Sequence, residues 1–338
     1  MKNNTMKNSA SNSSTIQAQT QQLLPIITQA LSVLQYSEIA HQRIGQQSTG
    51  QTKIGKAHSV ENNRYEGLTR AKHSQFGSVM IKWQLDSHDS HFLSDLNHEV
   101  NVLRSLNDLL LNQTNSTAIA PSVLAYHNLD IQVLGQSQQL TVLVMCYYAS
   151  GNLAKQLIHQ NHSLLTDKQK HHFINQTAHL IARLHHAGWL HNDIKPSNIL
   201  LDVALVDGHH ERSKMSDLLI TDFALAERVD ARVESKLAGT PAYLAPERWQ
   251  GQVATVQSDV YAFGVMMVEI LMGKRPFKIH TQSSDPMIDW ATQHCQHPIP
   301  KLPSQYSRYQ FIIDGALAKR IEKRYQTIDK VILDLEEL

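Results

Sequence analysis

The chain has 338 residues, of which 41% are hydrophobic and 18% are charged, and its formal net charge is +1. This length suits two lobes, and a charge so close to zero gives no overall attraction to nucleic acid or to an anionic membrane surface. The two cysteines, Cys146 and Cys295, cannot build a disulfide framework, which favours a reducing, cytoplasmic location. The most apolar stretch, Val260 to Met272, is shorter than the ~20 residues of a membrane span.

The N-terminal segment, residues 1–36, is predicted to be a tail. Residues 1–21 are mostly Asn, Ser, Thr, Gln and Lys. Such a segment cannot bury enough apolar surface to offset its ordering entropy, so we expect it to be disordered. Leu23 to Tyr36 is more apolar, and we predict that it contains a short helix that packs on the folded domain.

The first half of the remaining chain is predicted to contain strands around one helix. The stretch Gly45-Gln-Gln-Ser-Thr-Gly50 is expected to separate two strands. A third strand, Phe76 to Trp83, is rich in residues that favour β-structure, and Leu140 to Tyr147 is predicted as a buried strand. Ser94 to Leu111 is predicted as a helix because its apolar residues recur at helical spacing, at Leu96, Val100, Leu103, Leu106 and Leu110.

The second half is predicted to be mostly helical. Thr166 and Gln169 form a capping-box pattern that opens a helix, and Gly188 suits the position just after its end. The stretch from Ser258 to Met272 is apolar on all sides, as expected of a helix at the centre of a domain, and Gly273 ends it. Two short strands are also predicted, at Ile199 to Leu201 and at Leu218 to Thr221.

The residues that carry chemistry lie in His191-Asn-Asp193-Ile-Lys195-Pro-Ser-Asn198. This short loop combines a potential base, a cation and an amide oxygen. Phosphoryl transfer needs such parts, namely a group that orients the attacking hydroxyl, a positive charge near the moving phosphate and an oxygen ligand for Mg²⁺. Further along, Asp222 ends a predicted strand, and its carboxylate is the kind of hard ligand that Mg²⁺ prefers.

Three motifs in this order resemble the eukaryotic-type serine/threonine protein kinase family: H-x-D-x-K-P-x-N at 191–198, Asp222-Phe-Ala224, and Gly239-Thr-Pro-Ala-Tyr-Leu-Ala-Pro-Glu247. Lys195 and the Gly-Thr-Pro-x-Tyr stretch resemble the Ser/Thr branch rather than the Tyr branch. The resemblance implies an α+β, two-lobed protein kinase-like fold over residues 37–338. A small β-rich N-lobe would span residues 37–148, and a larger, mainly helical C-lobe would span residues 149–338.

The resemblance also implies a role for each matching residue of the second half. Asp193 would be the catalytic base that accepts the proton of the substrate hydroxyl, and Lys195 would neutralise the γ-phosphate of ATP. Asn198 and Asp222 would hold Mg²⁺. Supporting contacts would come from a pair between Glu247 and Arg324, and from Asp259 beneath the loop.

In the first half, the resemblance implies nucleotide-binding roles. Lys82 would bind the α- and β-phosphates of ATP and pair with Glu99. The pair has support of its own, because Glu99 lies within the apolar stripe of its helix, and a carboxylate that faces a core needs a partner. The other implied positions are the glycine loop at Gly45 and Gly50, the gatekeeper Met145, and the hinge at Cys146 to Tyr148.

Several positions depart from the family pattern. Gln47 replaces the middle glycine of the loop and Thr52 replaces a Val, which predicts a looser approach of the backbone to phosphates. Ala224 replaces the Gly of D-F-G, and its Cβ restricts positive φ. The connection from Asp202 to Asp217 is longer than a tight hairpin, and we interpret it as a solvated loop rather than a docking element.

A further departure concerns regulation. Asn192 replaces the Arg that, in the family, reads a phosphate on the activation segment. We therefore expect that phosphorylation of this segment is not the on-switch. Order in the segment would have to come from packing, or from Arg228 and Arg232 within it.

Two alternatives stay open at this point. A pseudokinase, which is a binding module that kept the fold and lost catalysis, is favoured by Gln47 and Ala224 and opposed by the retained Lys82, Asp193 and Asn198. A small-molecule phosphotransferase of the kinase-like superfamily would share the catalytic Asp and Asn but not the peptide-kinase motifs. The main hypothesis is a serine/threonine protein kinase that uses ATP and Mg²⁺ and acts on protein substrates, with no nucleic-acid partner.

Overall fold

The structure is a computed structural model that describes residues 22–48, 63–87, 95–111, 118–133, 135–158, 165–202, 217–231, 237–279 and 284–338. By its backbone contacts the chain divides into two units. The first comprises Met1–Arg104 and Ser122–Tyr147, and the second comprises Ser105–Pro121 and Tyr148–Leu338. The predicted disorder of residues 1–21 lies outside the described residues, and so do residues 203–216 of the loop predicted from Asp202 to Asp217.

A five-stranded antiparallel sheet forms most of the first unit. Its spatial order is β1-β2-β3-β5-β4. The strands are β1 (Tyr36–Ser48), β2 (Asn63–His73), β3 (Gly77–Ser87), β4 (Val123–Val133) and β5 (Gln136–Cys146). The predicted strands at 76–83 and 140–147 are therefore confirmed in position and are longer than expected. Sequence reasoning missed β4, because most of its side chains are only partly buried and give no clean apolar alternation.

The predicted position of the first turn is wrong. Strand β1 does not end at Gly45 but continues to Ser48, because β2 offers a pairing partner for each residue up to that point. Gly45 pairs with Glu66, and Ser48 pairs with Asn63. Gly50 lies outside the described residues.

The N-terminal helix prediction is confirmed. Residues 22–33 form α1, and its residues at i, i+4 and i+8, namely Leu23, Ile27 and Leu31, are buried. They belong to the same apolar core as one face of the sheet, which contributes Val79, Ile81, Trp83, Leu85, Leu140, Val142 and Val144. The helix is thus part of the first unit's core, in agreement with the expectation that it packs on the domain.

Helix α2 spans Asp95–Leu111, close to the predicted range. The predicted apolar stripe is buried at Leu96, Val100, Leu103 and Leu106. The side chain of Leu110 lies outside the described residues. The 3.6-residue periodicity of the sequence therefore identified the buried face of this helix correctly.

The second unit is mainly helical in its described part. Its helices are α3 (Leu153–Leu157), α4 (Asp167–His186), α5 (Pro246–Trp249), α6 (Val256–Met272), α7 (Pro286–Gln296), α8 (Gln310–Ala316) and α9 (Ile328–Glu336). Two small antiparallel pairs accompany them: β6 (Trp189–Leu190) with β9 (Glu227–Arg228), and β7 (Ile199–Asp202) with β8 (Asp217–Ile220). Among the described residues, no helix combines the length and the apolarity needed to cross a bilayer.

Local end signals positioned the long helices correctly. Thr166 and Gln169 make both hydrogen bonds of the capping box at the start of α4. Gly188, just after its end, has a φ of 82°, and Gly273, which ends α6, has a φ of 66°. Only glycine adopts this left-handed conformation without a steric penalty, so the two glycines mark where these helices stop.

We predict that Gly67→Ala destabilises the first unit. A Cβ at Gly67 would lie 2.2 Å from Cζ2 of the fully buried Trp83, so the indole or the backbone must move. Overpacking of this kind costs about 1–3 kcal/mol. The free energy of unfolding in urea measures the effect.

The matched control is Gly45→Ala in the neighbouring strand. There the added Cβ meets only the side chain of Glu66, at 3.4 Å, which is close to an ordinary contact. Because a strand interior favours Ala over Gly by about 0.5–1 kcal/mol, this variant should be neutral or slightly stabilised. Equal stability of both variants would contradict the proposed role of Trp83.

Candidate active site

Asp193 is the centre of a hydrogen-bonded cluster in the second unit. It lies between β6 and a 3₁₀ turn at Pro196–Asn198, and it is only 9% exposed. Its Oδ2 accepts hydrogen bonds from Lys195 Nζ at 2.6 Å and from Asn198 Nδ2 at 3.2 Å. The three polar residues that the sequence singled out in this loop therefore meet at one carboxylate.

Thr240 completes this cluster from the Gly-Thr-Pro stretch. Its backbone N–H and its hydroxyl donate to Asp193 Oδ1, at 3.0 and 2.7 Å. Lys195 Nζ lies 2.7 Å from the same hydroxyl oxygen. Thr240 therefore contacts both Asp193 and Lys195. Four donors therefore fix the carboxylate plane of Asp193, and charge-assisted bonds of this kind are the strong ones.

Asn198 and Asp222 lie at the same end of the β7–β8 pair. Ile199 pairs with Ile220, and the Thr221 N–H donates to the carbonyl of Asn198 at 3.0 Å. Asn198 therefore lies beside Thr221, and Asp222 is the next residue. The Asn198 amide nitrogen donates to the carbonyl of Asp193 at 3.0 Å. That bond turns the amide oxygen of Asn198 away from Asp193. An amide oxygen and a carboxylate form a donor set that fits Mg²⁺.

Asp259, in the first turn of α6, braces the loop from below. Its carboxylate is only 1% exposed and accepts hydrogen bonds from the backbone N–H groups of His191 (2.8 Å) and Asn192 (3.0 Å), and from His185 Nε2 (3.0 Å). Burial opposes ionisation of this carboxyl group, but the hydrogen bonds from His185 and from the His191 N–H, together with the electrostatic interactions of the two imidazoles, outweigh it. The pKa of Asp259 therefore lies below its usual value.

His191 has a structural position under the loop. It is fully buried, and its ring contacts Phe223 edge-on with a centroid distance of 5.1 Å. Nδ1 accepts from the Asp193 N–H at 3.2 Å, so Nε2 is the protonated nitrogen and donates to the Thr221 carbonyl at 3.2 Å. This side chain thus connects the Asp193 backbone to Thr221, the residue directly before Asp222.

Asn192 adopts a left-handed backbone conformation with a φ of 65°. Asn tolerates this region better than most residues other than glycine. Its side-chain Nδ2 donates to the Leu225 carbonyl at 2.9 Å, just after the Asp222-Phe-Ala stretch. Where the family places a phosphate-reading Arg, this chain has a direct bond between the loop and the start of the following segment.

Packing also holds the segment that follows. β9 pairs with β6 through Trp189 and Arg228, and the Arg228 guanidinium lies 5.1 Å from the Trp189 ring. Arg228 Nη1 also donates to the Ala187 carbonyl at the C-terminal end of α4, at 3.4 Å. A cation at a helix C-terminus is favourable. Arg228 therefore orders the segment through packing, as the sequence suggested, whereas Arg232 lies outside the described residues.

Lys82 and Glu99 form the expected ion pair within the first unit. Lys82 Nζ donates to Glu99 Oε2 at 2.6 Å. The Glu99 side chain is 1% exposed, and the Lys82 side chain is 25% exposed. This geometry confirms the pairing that the buried helix position of Glu99 predicted.

Among the other predicted nucleotide-binding residues, Met145 and Cys146 lie in the strand that the sequence predicted, and Tyr148 follows that strand. Met145 and Cys146 are the last residues of β5, opposite Met80 and Val79. Tyr148 is the first residue of its segment of the second unit, and its carbonyl accepts from the Gly151 N–H at 3.0 Å. Their proposed contact with adenine stays a prediction.

Glu247 and Arg324 form the expected pair, which is deeply buried. Arg324 Nη1 and Nη2 donate to the two carboxylate oxygens at 2.8 and 2.9 Å. Ser258 adds a hydrogen bond at 2.8 Å. Burial raises the pKa of Glu247, but the bonds and charge of Arg324 more than reverse this, so the pKa lies below its usual value.

Sequence reasoning missed two contacts near this site. His185 follows Thr177 and Ile181 at four-residue spacing, so it lies on the buried face of α4, and a buried His requires a partner. The four-residue spacing that places His185 on the buried face was available in the sequence.

Tyr243 donates a hydrogen bond to Glu269 of α6, and burial raises the pKa of both groups. No local pattern indicated this pair, because its members are brought together only by the tertiary fold.

Comparisons with known proteins agree with this geometry. The sequence profile described as "Protein kinase domain" matches residues 74–333. The chain is 28% identical over 255 residues to the probable serine/threonine-protein kinase PknB of Lactococcus lactis, covering 72% of this chain and 38% of that protein. It is 28% identical over 231 residues to the serine/threonine-protein kinase PrkC of Bacillus subtilis, covering 66% of this chain and 32% of that protein.

A shorter match has higher identity. The serine/threonine-protein kinase PknA of Mycobacterium tuberculosis is 33% identical over 158 residues, covering 46% of this chain and 33% of that protein. The chain thus spans only about a third of the length of the curated relatives it matches. Among solved structures, the Cydia pomonella granulovirus kinase PK-1 superposes with a TM-score of 0.60 at 18% identity, covering 90% of this chain and 96% of that chain, which supports the fold alone.

We predict that Arg324→Met is strongly destabilising at neutral pH and less so in acid. Removing one partner of a buried ion pair costs about 3–5 kcal/mol. In the parent, the lowered pKa of Glu247 contributes stability above the unfolded pKa of about 4.3, and this is lost as the pH falls through the folded pKa. In the variant, burial acts without Arg324 and favours the neutral carboxyl. The stability gap should therefore narrow below about pH 5.

Urea unfolding of both proteins at pH 7.5 and pH 4 measures this gap. Arg320→Met is the matched control, because Arg320 is 75% exposed and contacts only the exposed Glu322 among the described residues. It should change stability little at either pH. A gap for Arg324→Met that does not depend on pH would show that the carboxyl group of Glu247 is not the origin of the loss.

Proposed function

Because this chain belongs to the protein kinase family, we propose that it transfers the γ-phosphate of ATP to serine or threonine hydroxyls of proteins. The observation that carries the proposal is the cluster around Asp193, in which Lys195, Asn198 and Thr240 hold one carboxylate in a fixed plane. A base, a cation and an oxygen ligand in such a cluster are the parts that phosphoryl transfer requires.

In the proposed reaction, Asp193 orients the attacking hydroxyl and takes its proton. The hydroxyl oxygen forms a bond to the γ-phosphorus as the bond from that phosphorus to the bridging oxygen of ADP breaks. Lys195 lies 2.6 Å from Asp193, where its ammonium would neutralise charge on the transferred group. Thr240 contacts both residues and would keep them in register during the transfer.

The proposal assigns Mg²⁺ to Asn198 and Asp222, which supply amide and carboxylate oxygens. When bound, the ion would neutralise charge on the ATP phosphates. Lys82, held by Glu99 at 2.6 Å, would contact the α- and β-phosphates. Gly45, Gly50, Met145, Cys146 and Tyr148 complete the proposed nucleotide-binding set.

The domain limits and the location belong to the same proposal. The kinase domain would span residues 37–338, with lobes at 37–148 and 149–338. The family profile begins only at residue 74, which leaves β1 and β2, the strands that flank the atypical glycine loop, outside the match. The two cysteines support a cytoplasmic location.

Catalysis is favoured over the pseudokinase alternative by the backbone at Ala224. A Cβ there would oppose catalysis only if the functional arrangement required a positive φ. Asp222 has a φ of 71°, but Ala224 is not among the residues with positive φ. The replaced glycine therefore introduces no strain in this arrangement.

We predict that the purified chain, given ATP and Mg²⁺, phosphorylates itself on Ser or Thr. Asp193→Asn removes the base and should lower the rate by about 10²–10⁴-fold. Lys82→Met removes the phosphate contact and leaves Glu99 without its ammonium partner, so most activity should be lost. Mass spectrometry identifies the modified residues, and steady-state assays give the rates.

Lys72→Met is the matched control for Lys82→Met, because Lys72 lies in the neighbouring strand and pairs with Glu38 on the surface. It should retain the parent rate. Phosphate only on tyrosine would refute the Ser/Thr assignment. Absence of any transfer by the parent, with nucleotide still bound, would instead support the pseudokinase alternative.

We further predict that Ser235→Ala keeps the rate within about threefold of the parent, well under the ~1.4 kcal/mol that corresponds to tenfold. Ser235 lies outside the described residues, and the prediction rests on Asn192, which replaces the phosphate-reading Arg of the family and donates to the Leu225 carbonyl. Thr240→Ala should reduce the rate, because it removes the hydroxyl that contacts Asp193, whereas Thr240→Ser keeps it. The assay uses phosphatase-treated proteins. A hundredfold lower phosphorylation rate in Ser235→Ala, together with an equal loss on phosphatase treatment of the parent, would contradict the prediction.

A further inference from the structure

Strand β3 carries a row of three polar residues on one face. Lys82, Gln84 and Asp86 alternate with Trp83 and Leu85, which are fully buried in the apolar core of the opposite face. Gln84 and Asp86 are themselves only 5% and 6% exposed. Polar side chains buried to this degree need partners, and each of the three contacts a different group.

The row ends in a buried ion pair. Arg64 of β2, which is 7% exposed, donates from Nε to Asp86 Oδ1 at 2.7 Å. Gln84 Nε2 donates to both oxygens of Asp86, at 3.2 and 2.9 Å. A charged acceptor on one end of an amide polarises it, so the Gln84 oxygen becomes a better acceptor.

That oxygen reaches the first turn of α2. Gln84 Oε1 accepts a hydrogen bond from the Leu96 backbone N–H at 3.3 Å. The opposite orientation of the amide would place its oxygen against the Asp86 carboxylate and its NH₂ against the Leu96 N–H, so the network fixes the orientation observed. Backbone N–H groups in the first turn lack partners within the helix, which makes this turn a natural point of attachment.

The same helix is attached to the same strand a second time, one turn further on. Glu99 follows Leu96 by three residues, and it receives Lys82 Nζ at 2.6 Å. Lys82 and Gln84 are separated by one residue on β3, so two successive side chains of the polar face hold two successive turns of α2. A helix held at one point can still rotate or slide, whereas a helix held at two points cannot do so without breaking a bond.

We propose that Gln84 is a positioning residue for the Lys82–Glu99 pair. Together with Asp86 and Arg64, it fixes the first turn of α2 on β3, so that Glu99 is presented to Lys82 before nucleotide binds. The proposed consequence for activity rests on the function proposed above. The proposed consequence for α2 does not, because it concerns only contacts within the first unit.

The first experiment measures α2 directly. Gln84→Met preserves length and removes the amide's hydrogen bonds to Asp86 and from Leu96. Amide hydrogen exchange in peptides covering residues 95–106 should become about tenfold faster or more in this variant. Thr69→Val is the matched control: Thr69 is fully buried in β2 and contacts His41 and Trp83, away from α2. The control should leave exchange in residues 95–106 at the parent rate.

The second experiment is a double-mutant cycle on activity. Gln84→Met should lower kcat/KM for ATP in autophosphorylation about tenfold and raise KM for ATP. A simple loss of folded enzyme would lower the apparent kcat and leave KM for ATP unchanged. In a Glu99→Gln background, Gln84→Met should have less than a twofold effect, because the pair that it positions is already broken.

Each outcome decides the matter. Faster exchange in residues 95–106 together with a non-additive cycle supports the proposal. Unchanged exchange, equal acceleration in Thr69→Val, or effects of Gln84→Met and Glu99→Gln that multiply would overturn it. If the parent transfers no phosphate, the proposed function fails, and hydrogen exchange alone still decides whether Gln84 holds α2.

Discussion

The fully buried carboxylate of Asp259 is the interaction on which the candidate site depends. A charge so far from water is tolerated only when donors surround it, and here two of the three donors described above are the backbone N–H groups of His191 and Asn192. The requirement works in both directions. The loop is fixed because the carboxylate needs its N–H groups, and the carboxylate stays charged because the loop supplies them. Asp193 then follows at a set position, as the next residue after two that cannot move freely.

The helix that carries Asp259 explains why this anchor is rigid. Nearly every residue of α6 is buried, so the helix has no solvent-facing side along which it could shift. The same helix supplies Ser258 to Glu247, and its Gln257 carbonyl accepts from Arg324 at 2.8 Å. Helix α6 therefore contacts the loop that carries Asp193, the Ala-Pro-Glu stretch and Arg324. We expect the effects of substitutions in these three places to be non-additive, because their contacts are not independent.

Features set by neighbours in sequence could be predicted, and features set by distant pairing could not. The capping box at Thr166, the left-handed glycines and the stripe of α2 depend on local geometry, and the structure confirms them. The Lys82–Glu99 pair was accessible because a carboxylate on an apolar stripe demands a cation. The extension of β1 past Gly45 could not be predicted, because it depends on pairing with residues of β2 that lie fifteen or more positions later in the sequence. The Gln84 network could not be predicted either, because no single member differs in the sequence from an ordinary exposed polar residue.

The packing of α1 has a consequence for any shortened form of the protein. The motif resemblance begins near residue 37, which makes that residue a natural place to cut. Such a cut would remove Leu23, Ile27 and Leu31 and uncover the sheet face that contains Val79, Ile81 and Trp83. A contiguous apolar surface of this kind promotes self-association. Poor solubility of a fragment that starts at residue 37 would therefore reflect the loss of α1 from this face of the sheet. Inactivity of that fragment would not be evidence against its catalytic residues.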